Sequence, residues 1–236
     1  MCTLSAAEQK CNPQGVGWTN RAASGIYARS ARARTSLLSA TSRTSLVAKF
    51  ALGRTNYWLS VADASSAPFF LAWEIWVRHA PLVDVSLAGA SGYLVWGLAE
   101  YAFHRWLYHQ RHGILADGHR IHHADPEMWI AMPWFVTAPT MFGLWYLGAV
   151  VLRLPLSSAG LAGWLAGSVW YSLVHHSHHH WDPRQWWLRK LRAHHQIHHE
   201  CPEFNFGVTM RLWDHAFGTR YRGRAYVPRV EGGRQP

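Results

Sequence analysis

The sequence predicts an all-α fold, an integral membrane bundle of about four transmembrane helices with a cytosolic helical cap. Three observations lead there. Residues 134–152 and 154–174 contain no charged side chain, and residues 82–103 carry acidic groups only near their ends, at Asp84 and Glu100. Crossing about 30 Å of hydrocarbon takes roughly 20 apolar residues. The Arg and Lys residues concentrate outside these stretches, on segments that a four-span topology collects on one side.

Residues 1–56 read as a basic, disordered arm. No acidic residue lies between Glu8 and Asp63, while Arg21, Arg29, Arg32, Arg34, Arg43, Lys49 and Arg54 accumulate. Such a composition cannot bury a core, and its Arg- and Ser-rich, acid-poor character also fits an organelle transit peptide. Residues 57–222 form the expected membrane domain, and residues 223–236 a short tail. The first apolar stretch, 61–77, is interrupted by Asp63 and Glu74 and fits either a span or a re-entrant segment. Arg153, Leu154 and Pro155 join the last two stretches, a connection so short that they must form an antiparallel hairpin.

If all four stretches cross, the arm, the 104–133 segment and the 175–236 segment share a side. That side holds nearly all the positive charge, which places it in the cytosol. Trp58, Trp73, Trp106, Trp129, Trp134, Trp181, Trp186 and Trp187 lie near the proposed boundaries, as an interfacial aromatic belt would. The net charge of +10 is then a membrane-facing cytosolic surface, with no nucleic-acid motif to suggest another partner. The three cysteines are scattered and build no disulfide framework or CxxC site. Cys201 reads as a packing residue.

Ten of the 17 histidines fall into four groups: His104 and His109; His119, His122 and His123; His175 and His179; His195, His198 and His199. On a helix, residues three and four apart share a face, so each HxxHH group aims three imidazoles at one point. His104 and His109 are five apart, about 140° around a regular helix, which suits two sides of a site or a helix that ends between them. Every group lies just outside an apolar stretch on the cytosolic side. The hairpin 134–174 returns the chain and brings the groups together. Ten imidazoles exceed the coordination of one ion, and two ions are the natural count. Imidazole serves Zn, Cu, Fe or Ni, so ligand type leaves the metal open. His79, His112, His176, His178, His180, His194 and His215 fall outside the pattern. Glu100 is placed to accept an imidazole N–H and orient a ligand, or to pair with an Arg at its helix end. Asp214 reads as a structural cap.

The segments LVWGLAEYAFHRWLYH, HRIHH, MPWFVTAP, the pair His175 and His179, and HHQIHHECPEFNFGVTMRLWDHAFGT resemble the fatty acid hydroxylase and sterol desaturase superfamily over about residues 62–222. Four residues between His104 and His109 place the chain closest to the fatty acid 2-hydroxylase branch. The resemblance implies that the ten histidines hold two iron ions, which zinc can replace in isolated protein. It implies dioxygen as co-substrate and hydroxylation of a fatty acid, the acyl chain of a sphingolipid. A sterol or carotenoid desaturase or hydroxylase is the alternative within the superfamily, and a non-redox metal-binding membrane protein the alternative outside it. Many relatives carry an Asp directly after the Tyr preceding the third histidine pair, whereas here Ser172 follows Tyr171. No fused b-type cytochrome domain is expected, and electrons are expected from a separate protein, a b-type cytochrome or ferredoxin. The expected location is the endoplasmic reticulum membrane in a eukaryote or the inner membrane in a bacterium.

Overall fold

The computed structural model describes residues 53–111 and 113–223. The expected arm up to position 52, the tail beyond 223 and His112 lie outside the described residues. Every regular element among the described residues is helical.

Helix α1 (Arg54–Ala64) begins inside the segment expected as arm. Its start is tied down: Gly53 donates its N–H to Trp129 O at 2.9 Å, and Asn56 Nδ2 donates to Ala131 O at 3.1 Å. The helix breaks at Ser65 and Ser66, because Pro68 in the first turn of α2 (Ala67–Ala72) cannot continue a helix that precedes it. A π-helical turn, Trp73–Val77, extends α2. The first apolar stretch is therefore a broken helix. Its two acids are satisfied from within: Asp63 Oδ2 accepts from Thr137 Oγ1 at 2.8 Å, and buried Glu74 accepts the Ser158 N–H at 3.0 Å.

Helix α3 (Leu82–Ala102) starts after Pro81 and runs into a π-helical turn, Phe103–Tyr108. Helix α4 (Ile114–Ala124) follows. Helix α5 (Trp134–Trp145) ends in a third π-helical turn, Tyr146–Val151. The connection to α6 (Ser157–His180) places Arg153 and Leu156 at φ 51° and 58°, the left-handed region that non-glycine residues rarely enter. Helices α7 (Trp186–Glu200) and α8 (Leu212–Ala216) complete the chain.

Two helices are long and apolar enough to cross a membrane, Leu82–Tyr108 and Trp134–Val151. Their side chains face outward, with Leu82, Val83 and Leu87 more than 60% exposed. That much outward apolar surface marks contact with a membrane or with other protein. The expected span 154–174 is the core of α6. It is long enough, but Gly, Ser and Trp lower its apolarity, and its small residues face protein.

Helices α3 and α6 lie side by side and parallel. A Cβ on Gly92 would fall 1.9 Å from Gly160 O, one on Gly163 1.9 Å from Gly89 O, and one on Gly167 2.6 Å from Trp96. Backbones approach this closely only at small residues. On another face of α6, Phe70, Ala162 and Leu165 form a buried cluster against Met141 and Trp145. Of the expected aromatic belt, Trp58, Trp106, Trp134, Trp181, Trp186 and Trp187 are exposed. Trp73 and Trp129 instead pack inward: Trp73 is edge-on to Trp145 at 5.1 Å, and Trp129 lies 4.4 Å from the His176 ring.

Candidate metal centre

Four helix ends carry the histidines. His104 and His109 come from the π-helical turn and its cap, His119, His122 and His123 from α4, His175 and His179 from the end of α6, and His195, His198 and His199 from α7. The π-turn resolves the five-residue spacing. With i→i+5 geometry, five residues make little more than one turn, and the two rings stand 5.4 Å apart rather than on opposite sides.

The ligand nitrogens gather into two groups, each with all its members within 4.8 Å of one another. The first holds His104, His109, His119, His123 and His198; the second holds His122, His179, His195 and His199. His175 adjoins the second, its Nε2 3.0 Å from that of His122. All ten expected ligands therefore converge.

The contacts inside the groups are not a hydrogen-bond network. Nε2 of His119 lies 3.1 Å from Nε2 of both His104 and His109 and 2.9 Å from that of His123. One ring nitrogen has one proton or one lone pair, so it cannot serve three partners. In the second group, Nε2 of His195 is 3.1 Å from Nε2 of both His179 and His199. Two nitrogens bound at right angles to one ion at about 2.1 Å stand about 3.0 Å apart. The residues present fit a metal ion in each group.

Burial sets their charge state. His122, His195 and His198 are at most 2% exposed. Burial first, and the neighbouring imidazoles second, hold His119, His122, His195 and His198 well below the ordinary histidine range. The same causes bring His123 down to about 4 and His199 to about 2. The rings are neutral at pH 7, the form that binds metal. His104 Nδ1 donates to Phe206 O and His198 Nδ1 donates to Phe204 O at 2.7 Å. Those bonds fix the tautomers and leave Nε2 lone pairs facing the centre.

Glu100 differs from both expectations. It binds neither an imidazole nor an arginine; its carboxylate accepts the N–H groups of Val208 and Thr209 at 2.7 and 2.9 Å and the Thr209 hydroxyl at 2.5 Å. Its position in the last turns of α3 aims it at the 206–209 loop. Asp214 is a structural acceptor, as expected, and is fully buried. It takes N–H groups from Phe206 and Gly207, the Thr219 hydroxyl, and Nε2–H of His194 at 2.9 Å. His194 was thus missed as the partner of a buried acid. Its signal in the sequence was Asp214 in the apolar segment LWDHAF. His176 and His178 are buried outside both groups, and His79 and His215 are exposed. Cys201 is buried and belongs to neither group.

The fold and site define a class: a helical protein with two long apolar helices and a histidine centre competent to hold metal. Residues 89–219 match the fatty acid hydroxylase family, and the chain belongs to that family. It is 32% identical over 145 residues to a dihydroceramide fatty acyl 2-hydroxylase of Arabidopsis thaliana, covering 58% of this chain and 61% of that protein. It is 34% identical over 148 residues to a ceramide very long chain fatty acid hydroxylase of Saccharomyces cerevisiae, covering 54% and 36%. The solved structure of full-length scs7p, in which only the hydroxylase domain is visible, superposes with a TM-score of 0.61 at 25% identity, covering 80% of this chain and 73% of that one. The chain spans between about a third and three fifths of the length of these curated relatives.

Proposed function

We propose that this chain is a di-iron, dioxygen-dependent hydroxylase of lipid acyl chains, acting at the carbon next to the acyl carbonyl of a sphingolipid. The observation that carries the reading is the convergence of ten neutral imidazoles into two groups at the ends of apolar helices. The relatives, a dihydroceramide fatty acyl hydroxylase and a ceramide very long chain fatty acid hydroxylase, supply the substrate class. His104, His109, His119, His123 and His198 would hold one ion, and His122, His175, His179, His195 and His199 the other. Bound there, iron supplies the dioxygen chemistry that attacks an unactivated C–H bond.

The protein supplies the rest. Phe204 and Phe206 carbonyls hold His198 and His104 with their lone pairs inward. Tyr171 stacks on His175 at 5.5 Å, and Tyr108 packs against His119 at 5.4 Å, tilted by 34°. Both stand where the histidines meet the apolar helices. A lipid head at the interface would leave its first chain carbons there, with the chain along the bundle. Two helices long and apolar enough to cross a membrane, Leu82–Tyr108 and Trp134–Val151, support this placement; with the stretch ending at Val77 and α6 as further passes, the histidine ends would lie together on the cytosolic side. On that side Arg111, Arg184, Arg189 and Lys190 are exposed, a surface complementary to a separate acidic electron donor.

The test is expression in a host lacking 2-hydroxy acids, with a competent reductant, followed by lipid mass spectrometry. New 2-hydroxy acyl lipids are expected. Unchanged lipids with folded, iron-loaded protein would overturn the reading.

A further inference from the structure

We infer that Glu100 and Asp214 are positioning residues that hold the first metal group from a distance, by clamping the 204–209 segment between two buried carboxylates. The inference rests on the reading of the histidines as a metal centre.

Four consecutive backbone N–H groups, from Phe206 to Thr209, all point at carboxylate oxygen. Asp214 takes those of Phe206 and Gly207 at 2.8 and 2.9 Å. Glu100 takes those of Val208 and Thr209 at 2.7 and 2.9 Å. The two acids come from elements more than a hundred residues apart in the chain, α3 and α8. In these contacts each carboxyl faces only donors and so acts as an acceptor, and burial strengthens such bonds. Glu100 is 4% exposed and Asp214 is fully buried.

The same segment presents its carbonyls the other way. Phe204 O receives His198 Nδ1–H and Phe206 O receives His104 Nδ1–H. Both histidines belong to the first group. The segment is itself constrained. Asn205 sits at φ 57°, with its side chain bonded to His194 O at 3.1 Å and to Tyr221 N–H at 2.8 Å. A Cβ on Gly207 would meet Met210 O at 2.1 Å and Asp214 Oδ2 at 2.9 Å. Carboxylate, backbone and imidazole thus form two continuous chains, Glu100–loop–His104 and Asp214–loop–His104 and His198. In the second group, Nδ1 of His122, His195 and His199 meets no acceptor among the described residues. The clamp therefore serves one ion.

Glu100→Gln and Asp214→Asn keep the shape but replace a carboxylate facing three or four donors with an amide that brings donors of its own. Glu74→Gln is the control, since Glu74 is equally buried and caps α6 through Ser158 N–H, remote from the histidines. The full chain in detergent is loaded with iron or cobalt, and its metal content and metal affinity are measured. Cobalt absorption reports the site geometry. Wild type and Glu74→Gln are expected to hold two ions. Glu100→Gln and Asp214→Asn should bind one of them about 10- to 100-fold more weakly. In a His122→Ala background, which retains only the first group, either substitution should weaken the single remaining ion to the same extent. Wild-type affinity in both substituted proteins, or equal weakening in Glu74→Gln, would overturn the clamp. A wild-type protein that holds no stoichiometric metal would instead overturn the metal reading, and the clamp with it.

Discussion

At the scale of residues, the centre is a set of neutral imidazoles kept neutral by burial, and that makes it sensitive to acid. An unfolded histidine titrates near 6.5, whereas folded His123 titrates at about 4 and His199 at about 2. The unfolded chain therefore binds more protons below about pH 6.5, and stability falls with pH from there until the folded groups protonate. Thermal melts of metal-free protein should show a lower Tm at pH 5 than at pH 7.5; a flat profile would contradict the burial. The two groups should also separate by mutation. Removing His119, whose nitrogen touches three others, is expected to cost one ion of two, and His122→Ala the other. Metal analysis reads both, and either protein should still insert in the membrane. Eight of these ten side chains were legible in the sequence because spacing alone puts i, i+3 and i+4 on one face; His104 and His109, five apart, were legible only through their place beside an apolar stretch and the family resemblance. The partners of Glu100 and His194 were not, since they sit across loops whose path no periodicity encodes.

At the scale of elements, the π-turn is the device that makes a five-residue spacing work. Regular pitch separates His104 from His109 by about 140°, and the sequence alone offered only a site between them or a helix end. A π-turn differs from an α-turn by one inserted residue, and the pattern of apolar positions over six residues cannot distinguish them. The compensation is testable. Deleting Leu107 leaves the histidines four apart, which ordinary α pitch again aligns, so the variant should retain metal in both groups. Inserting Ala after Trp106 leaves them six apart, which neither pitch aligns, and the first group's ion should be lost. Equal metal binding in the two variants would show that the turn does not set the ligand geometry. The α3–α6 contact makes a second demand. Gly163→Leu drives a side chain into the Gly89 carbonyl, so destabilisation at or above the ~1–3 kcal/mol of ordinary overpacking is expected, read as loss of monodisperse protein in detergent. Pro68 likewise decided the first stretch: the acids at 63 and 74 were visible as interruptions, but their partners, Thr137 and Ser158, lie on helices that only the fold brings near.

At the scale of the molecule, one geometric relation places all four histidine groups together. Gly89 lies against Ala159 and Gly163, and Trp96 against Gly167, so α3 and α6 run parallel and their histidine-bearing C-terminal ends lie side by side. Two parallel helices need the chain to return between them, and α5 with its π-turn is that return. At 1.5 Å per residue, the 24 residues of α6 reach about 36 Å, more than the ~30 Å of hydrocarbon. Its start at Ser157 and its end at His180 should therefore lie on opposite faces of the membrane, with Arg153 on one face and Arg189 on the other. Single cysteines at Arg153 and Arg189, with Cys2 and Cys11 replaced by Ser and buried Cys201 by Ala, test this with an impermeant maleimide on sealed, right-side-out and inverted vesicles. Arg189→Cys is expected to react only from the cytosolic face, together with the histidine ends, and Arg153→Cys only from the opposite face. Labelling of both from one face would mean that α6 lies along the membrane, and the two long apolar helices would have to carry the anchor without it.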